Sequence, residues 1–382
     1  MRPVPSPTRS GWKTGAVLEI PASLLPADGR FGCGPAKVRR AAVQAVAQSP
    51  LMGTSHRQAP VRDLVGRIRD EIAQLYQLPE GYEVLLGNGG STLVWDAAVA
   101  GLIRKRSGHA VCGEFSQKFA SAAAAAPHLA EPVVTAYEPG TAGLPEPCED
   151  VDVYAWAHNE TSTGAATPVR RIDGFDALVV VDGTSAAGGM ELDASQVDFY
   201  YFAPQKNLGS DGGLWLSLAS PAAVERIEEL APQRWIPATL SLREALTNSR
   251  QQQTLNTPAL ATLIMLESQL AWLLDTGGLA GAAQRCRDNA SVIYGWADER
   301  PEATCFVADP EHRSPVVATI DLDASVDAAQ VAATLRSNGI VDVEPYRKLG
   351  RNQLRIALFT TIDTADLRAL TRCIDFVLDA GA

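Results

Sequence analysis

The chain has 382 residues, 46% of them hydrophobic and 20% charged, with a formal net charge of −11. That length and composition fit a globular chain with room for two domains, and the acidic balance argues against a general binder of nucleic acid or anionic membrane. No apolar run is long enough to span a bilayer and the N-terminus lacks a signal-peptide core. The six scattered cysteines (33, 112, 148, 286, 305 and 373) have neither CxxC nor zinc-finger spacing, so reduced thiols, no metal and a cytoplasmic location are expected.

Residues 1–30 are Pro-rich and read as an arm. The turn Phe31-Gly32-Cys33-Gly34-Pro35 leads into a helix expected from about Ala36. Gly53-Thr54-Ser55-His56-Arg57 reads as a helix-connecting loop rich in hydrogen-bonding groups, and Val61, Leu64, Val65, Ile68, Ile72 and Leu75 follow as one buried helical stripe. Glu83–Leu86 reads as a strand, followed by Gly87-Asn88-Gly89-Gly90-Ser91-Thr92 and a helix. Strand, glycine turn, Ser/Thr and helix is how a chain offers backbone N–H groups to a phosphate. The glycine spacing is neither a Walker loop nor an in-register GxGxxG, which counts against a nucleotide-binding oxidoreductase.

Val111–Ser116 reads as strand then turn, with Phe115 as core residue or cofactor platform. Val153–Ala157 is an apolar strand running into His158-Asn159-Glu160-Thr161-Ser162-Thr163-Gly164, a polar crowd that marks either a site or a hydrogen-bonded turn. Leu178–Val181, Asp198–Phe202 and Leu214–Leu218 read as strands buried on both faces. Asp182 ends the first, and Ala203-Pro204-Gln205-Lys206-Asn207 follows the second. Singly, Asp182 reads as a turn cap and Lys206 as a solvated lysine. Together they stand at neighbouring strand ends, where open α/β sheets bind ligands. Pyridoxal phosphate needs that pair, a lysine for its aldehyde and a carboxylate for its ring nitrogen.

Helix 221–230 is plain, and Thr257 as N-cap with Pro258 opens a long helix ending at Gly277-Gly278. The remainder reads helix (about 279–299), strand (316–321), helix (327–338), strands (340–343, 353–359) and helix (363–379), a small α/β sandwich with a mostly antiparallel sheet. Arg347, Arg351 and Arg355 cluster near its last strands. Arg355 alternates with Leu354 and Ile356 and can face a cleft, whereas Arg351 equally fits a solvated face.

The pieces FGCGPAKV, GTSHRQAP, GNGGST, HNETSTG, VVVDGTSAAGG, YYFAPQKNLGSDGG, LNTPA and EPYRKLGRNQLRIALF together resemble the class V, fold-type I pyridoxal-phosphate aminotransferases. The resemblance runs from Gly29 to the C-terminus and is nearest to the phosphoserine branch, in an actinobacterial-looking form. It implies an α/β fold with a mostly parallel seven-stranded sheet flanked by helices in a large domain (31–275), and a small C-terminal α/β domain (276–382). It also implies roles. Lys206 would bond to the cofactor and then move the substrate Cα proton, and Asp182 would pair with the ring nitrogen. Phe115 would stack on the ring, where many relatives carry Trp. Ser91, Thr92 and Gln205 would bind the cofactor phosphate and Thr161 the ring hydroxyl side. Asn256 and Thr257 would reach the neighbouring subunit's phosphate, giving a homodimer with shared active sites. Arg355 would clamp the substrate α-carboxylate, with His56, Arg57 and Arg347 at the side-chain anion, although Tyr346-Arg347 stands where many relatives have His-Arg. The implied reaction moves the amino group of glutamate to 3-phosphohydroxypyruvate in serine biosynthesis. The related substrate of pyridoxine synthesis stays open, and a class V transaminase of small neutral amino acids is the alternative.

Overall fold

Seven short apolar runs form the central sheet of the computed structural model, which describes residues 18–172 and 176–381. Residues 1–17 of the expected arm lie outside the described residues. In chain order the strands are β1 (Glu83–Asn88), β2 (Ser107–Val111), β3 (Val133–Ala136), β4 (Val153–Ala157), a small hairpin of β5 (Asn159–Glu160) and β6 (Ala165–Ala166), β7 (Leu178–Asp182), β8 (Phe199–Phe202) and β9 (Leu214–Ala219). The sheet order is β1-β9-β8-β7-β4-β2-β3. Only β9 runs antiparallel to its neighbours. The expected mostly parallel sheet of seven strands is therefore present.

Alternation along each strand feeds two cores. Val179 and Val181 of β7 pack with helices Ala59–Leu75 and Leu260–Asp275 on one face. Leu178 and Val180 pack with helices Ser91–Gly101, Glu114–Ala125 and Leu242–Arg250 on the other. Because β1, β2, β4, β7 and β8 are parallel, their carboxyl ends share one edge, and Gly90, Phe115, Asn159, Asp182 and Lys206 all follow from that edge.

A second sheet joins β10 (Ala303–Cys305), β11 (Val317–Leu322) and β12 (Gln353–Ala357), all antiparallel. Helices Gly278–Glu299, Ala328–Ser337 and Thr364–Gly381 cover it. Its core also takes in Ile20, Phe31, Cys33 and Ala36 from the start of the described chain. Backbone bonds tie that segment in: Phe31 N–H donates to Val341 O (3.2 Å) and Ala357 N–H to Phe31 O (3.0 Å).

Three expected elements differ. The first helix begins at Arg40, not Ala36, because the chain is still extended at Arg39 (φ −65°, ψ 140°), after a stretch tied to the Lys206 turn through the Ala36 N–H bond to Gln205 O at 2.8 Å. No strand forms over 340–343. Asp342 sits at φ 67°, which breaks the extended run, and Val341 makes a single bridge to Arg30. The long helix begins at Leu260 with Ala259 as its cap, so Thr257 is not the N-cap. The 256–257 carbonyls instead accept from Asn88 Nδ2, at 3.3 and 3.1 Å.

Candidate active site

The carboxyl edge of the large sheet opens into a cavity of about 340 Å³, within the usual size of a small-molecule site. Asp182, the last residue of β7, and Lys206, in the turn after β8, both line it, and both are only 8% exposed. That turn is fixed from three directions. Gly209 N–H donates to Lys206 O at 2.8 Å. Asn207, fully buried, donates from Nδ2 to Ser185 O (2.6 Å) and accepts from Thr360 N–H (3.2 Å), joining the two sheets behind the lysine. Gly34 closes over the top. Its φ is +140°, and a Cβ there would stand 2.8 Å from Lys206 Cε, so only glycine fits.

Lys206 Nζ donates to Thr161 Oγ1 at 3.0 Å and lies 5.3 Å from the centre of the Phe115 ring. Burial pulls its pKa down to about 8, with Asp182 opposing the shift. The lysine still holds its proton over most of the physiological range, but it gives it up far more readily than an ordinary lysine, to leave the free amine that attacks an aldehyde or takes a proton from carbon. Thr161 donates onward to Ser185 Oγ (2.8 Å), which also accepts from Asn159 Nδ2 (2.7 Å). Asp182 Oδ1 accepts from Thr184 N–H (2.8 Å), and Thr184 Oγ1 donates to Ser91 Oγ (2.7 Å).

Ser91 and Thr92 open helix Ser91–Gly101, whose first N–H groups have no partner within the helix. Gln205 Oε1, Asn159 Oδ1 and Arg355 Nε are buried without a protein partner, although all three residues line the cavity. Buried polar atoms are rarely left so. The donor set therefore fits pyridoxal phosphate: an N-terminus for phosphate, a carboxylate for the ring nitrogen, an aromatic face and an amine. When bound, that group supplies an aldehyde and an electron-withdrawing ring. Arg355 closes the other side, donating from Nη1 to Thr161 O (3.3 Å) with its guanidinium 5.3 Å from the Tyr346 ring.

Of the residues singled out from the sequence, Ser91, Thr92, Phe115, Thr161, Asp182, Gln205, Lys206 and Arg355 come together in this cavity. His56, Arg57, Asn256, Thr257 and Arg347 do not line it. Arg57 is exposed and donates to Gln253 Oε1 at 2.9 Å. His56 is half-buried, its pKa lowered by burial and then by Arg57. Asn256 borders a separate hollow with Asn88 and Trp215, beyond the Gly89 turn. Arg347 is exposed, whereas its neighbour Tyr346 faces the cavity. Arg351 is held away by Asp321, a pair at the solvated end of the small sheet. Sequence reasoning did not single out Cys33, Gly34, Trp95, Asn159, Thr184, Ser185 or Tyr346 as lining residues. Asn159 was within reach, since it stands in the same polar run after β4 as Thr161.

Comparison with known proteins agrees with this geometry. The family model described as aminotransferase class-V matches residues 40–342. A phosphoserine aminotransferase of a Nocardioides species is 56% identical over 368 residues, covering 95% of this chain and 98% of its own. A protein of Mycolicibacterium vanbaalenii, provisionally named phosphoserine aminotransferase, is 57% identical over 365 residues, 95% of this chain and 98% of its own. Among solved structures, a phosphoserine aminotransferase of Cytophaga hutchinsonii superposes with a TM-score of 0.84 at 22% identity, over 91% of this chain and 99% of its own, which speaks to the fold alone. The chain belongs to the class V aminotransferases, enzymes that work with pyridoxal phosphate.

Proposed function

We propose that the chain moves the amino group of L-glutamate to 3-phosphohydroxypyruvate, giving O-phospho-L-serine and 2-oxoglutarate, as a cytoplasmic homodimer in serine biosynthesis. The observation that carries the reading is the near-full-length identity to the Nocardioides phosphoserine aminotransferase, because the fold alone does not choose a substrate. The cavity is compatible with it. Arg355 offers a planar fork to the α-carboxylate that glutamate and phosphoserine share. Lys206, as a free amine, would take and return the substrate proton, and Asp182 would hold the ring nitrogen of the cofactor protonated. Phe115 and Tyr346, with ring centres 5.9 Å apart, wall the mouth against water. Ser91, Thr92 and Gln205 hold the cofactor phosphate.

Arg57 is exposed and outside its own chain's cavity, so in this reading His56 and Arg57 serve the partner's substrate, with Arg347 at the side-chain anion. Asn256 and Thr257 likewise reach the partner's cofactor phosphate. The division into a large unit (31–275) and a small unit (276–382) after an arm (1–30) belongs to the same proposal. The packing of Phe31, Cys33 and Ala36 into the C-terminal core associates that stretch with the small unit.

The test is a half-reaction titration. The purified holoenzyme is mixed separately with O-phosphoserine, glutamate and alanine while the visible cofactor band is followed. Loss of the band with the first two at low concentration, and not with alanine, is expected. An equal response to alanine would replace the reading with a transaminase of small neutral amino acids.

A further inference from the structure

Glu160 is fully buried beside the cavity, yet it does not line it. Its neighbours Asn159 and Thr161 face the site, whereas Glu160, at the end of β5, points the other way, beneath helix Glu114–Ala125. There its carboxylate collects donors from that helix. Oε1 and Oε2 each accept from Phe115 N–H at 3.2 Å, and Oε2 also accepts from Ser116 N–H (3.0 Å) and Ser116 Oγ (2.8 Å). Ser162 Oγ donates to Oε1 at 2.6 Å and itself accepts from Glu114 N–H at 3.0 Å. The fit is close, since a Cβ on Gly113 would lie 2.5 Å from Glu160 Cγ. A helix begins with N–H groups that have no internal partner, and a negative charge there is favoured. Here the cap comes from a residue 44 or 45 positions away, and one of the helix residues it grips is Phe115 itself.

We propose that Glu160 is the positioning residue that holds the Phe115 ring over the cofactor. One short segment then sets two sides of the site: Thr161 contacts Lys206 from the cavity side, and Glu160 fixes the aromatic cover from behind. The inference rests on the reading that Phe115 stacks on the cofactor.

A double-mutant cycle on cofactor affinity tests it. Glu160→Gln keeps the volume but replaces one acceptor oxygen with an NH₂ group that faces backbone N–H. Cofactor-free protein is reconstituted with pyridoxal phosphate, and the dissociation constant and the visible circular dichroism of the bound cofactor are read. Glu160→Gln is expected to weaken binding about tenfold and reduce the dichroic band in the wild-type background, and to change binding by less than about twofold when Phe115→Ala is already present. Hydrogen exchange of the cofactor-free protein is expected to quicken at the amides of Phe115 and Ser116. Equal losses in both backgrounds would overturn the inference, as would no loss in the wild type. Phe115→Ala with undiminished affinity would remove the stacking on which it rests, an outcome separate from the substrate titration. Should Glu160→Gln not fold, Ser162→Ala removes the 2.6 Å bond, together with the Glu114 N–H bond to the same hydroxyl, while leaving the carboxylate in place, and is read in the same two backgrounds.

Discussion

Lys206 is the residue whose chemistry burial changes most directly. Its ammonium is depressed to about 8 by the loss of water around it, and Asp182 is the chief group pulling the other way. Below pH 8 both folded and unfolded chains hold the proton, so the cost of burying the charge is constant. Between about 8 and the ordinary lysine value the unfolded chain still binds a proton that the folded one has shed, and stability rises with pH across that window. The cofactor-free protein should therefore form the visible band at a rate that climbs with pH around a midpoint near 8, and Asp182→Asn should move that midpoint lower. A midpoint at the ordinary lysine value would contradict the burial argument. Lys206 and Asp182 were legible as a pair, because each stands at or just past the end of a buried strand, at the edge where open α/β sheets bind ligands. Ser185 and Asn159 were not, because hydrogen-bonding side chains in a turn look alike whether they hold a ligand or the backbone. Glu160 looked like one more polar residue until the fold set a helix terminus above it.

Among the elements, those with a clean apolar period were legible nearly to the residue. Helix Pro221–Leu230 and strand Val153–Ala157 fall where the pattern puts them. The failures came where long-range bonds compete with local preference. The Ala36 N–H is used by the Lys206 turn, the 256–257 carbonyls by Asn88, and the 340–343 backbone by the Gly29–Phe31 segment. None of those partners is near in sequence. A similar long-range device anchors β8. Asp198, just before that strand and 2% exposed, accepts from both Arg171 Nη atoms (2.9 and 3.0 Å), from Val179 N–H (2.8 Å) and from Ser220 Oγ (2.8 Å). Asp198→Asn keeps the shape but loses the charge that these donors share. It should lower the urea midpoint of unfolding by an amount equivalent to about 2 kcal/mol. An unchanged midpoint would mean that these bonds add nothing over water.

For the whole molecule, the doubly covered sheet was legible because strands buried on both faces read as unbroken apolar runs, whereas the proposed sharing of sites between subunits rests on Arg57, Asn256 and Thr257, which do not line the cavity of their own chain. The proposed sharing predicts complementation. Lys206→Ala and Arg57→Ala should each be nearly inactive alone. Reassociated in equal amounts, half the dimers are mixed, and each mixed dimer carries one site with both residues intact, so roughly a quarter of the wild-type activity should return. No recovery would place Arg57 in its own chain's site or outside any. The weaving of Phe31 and Cys33 into the C-terminal core, with Gly34 closed over Lys206, bears also on how the molecule is made. On a ribosome the opening segment emerges first, but the strands it packs against are translated last, after some 300 further residues, on the order of 15–60 s of elongation. The candidate pocket is therefore assembled only at the end of synthesis, and a chain truncated before β12 would carry both Lys206 and Asp182 without ever enclosing them.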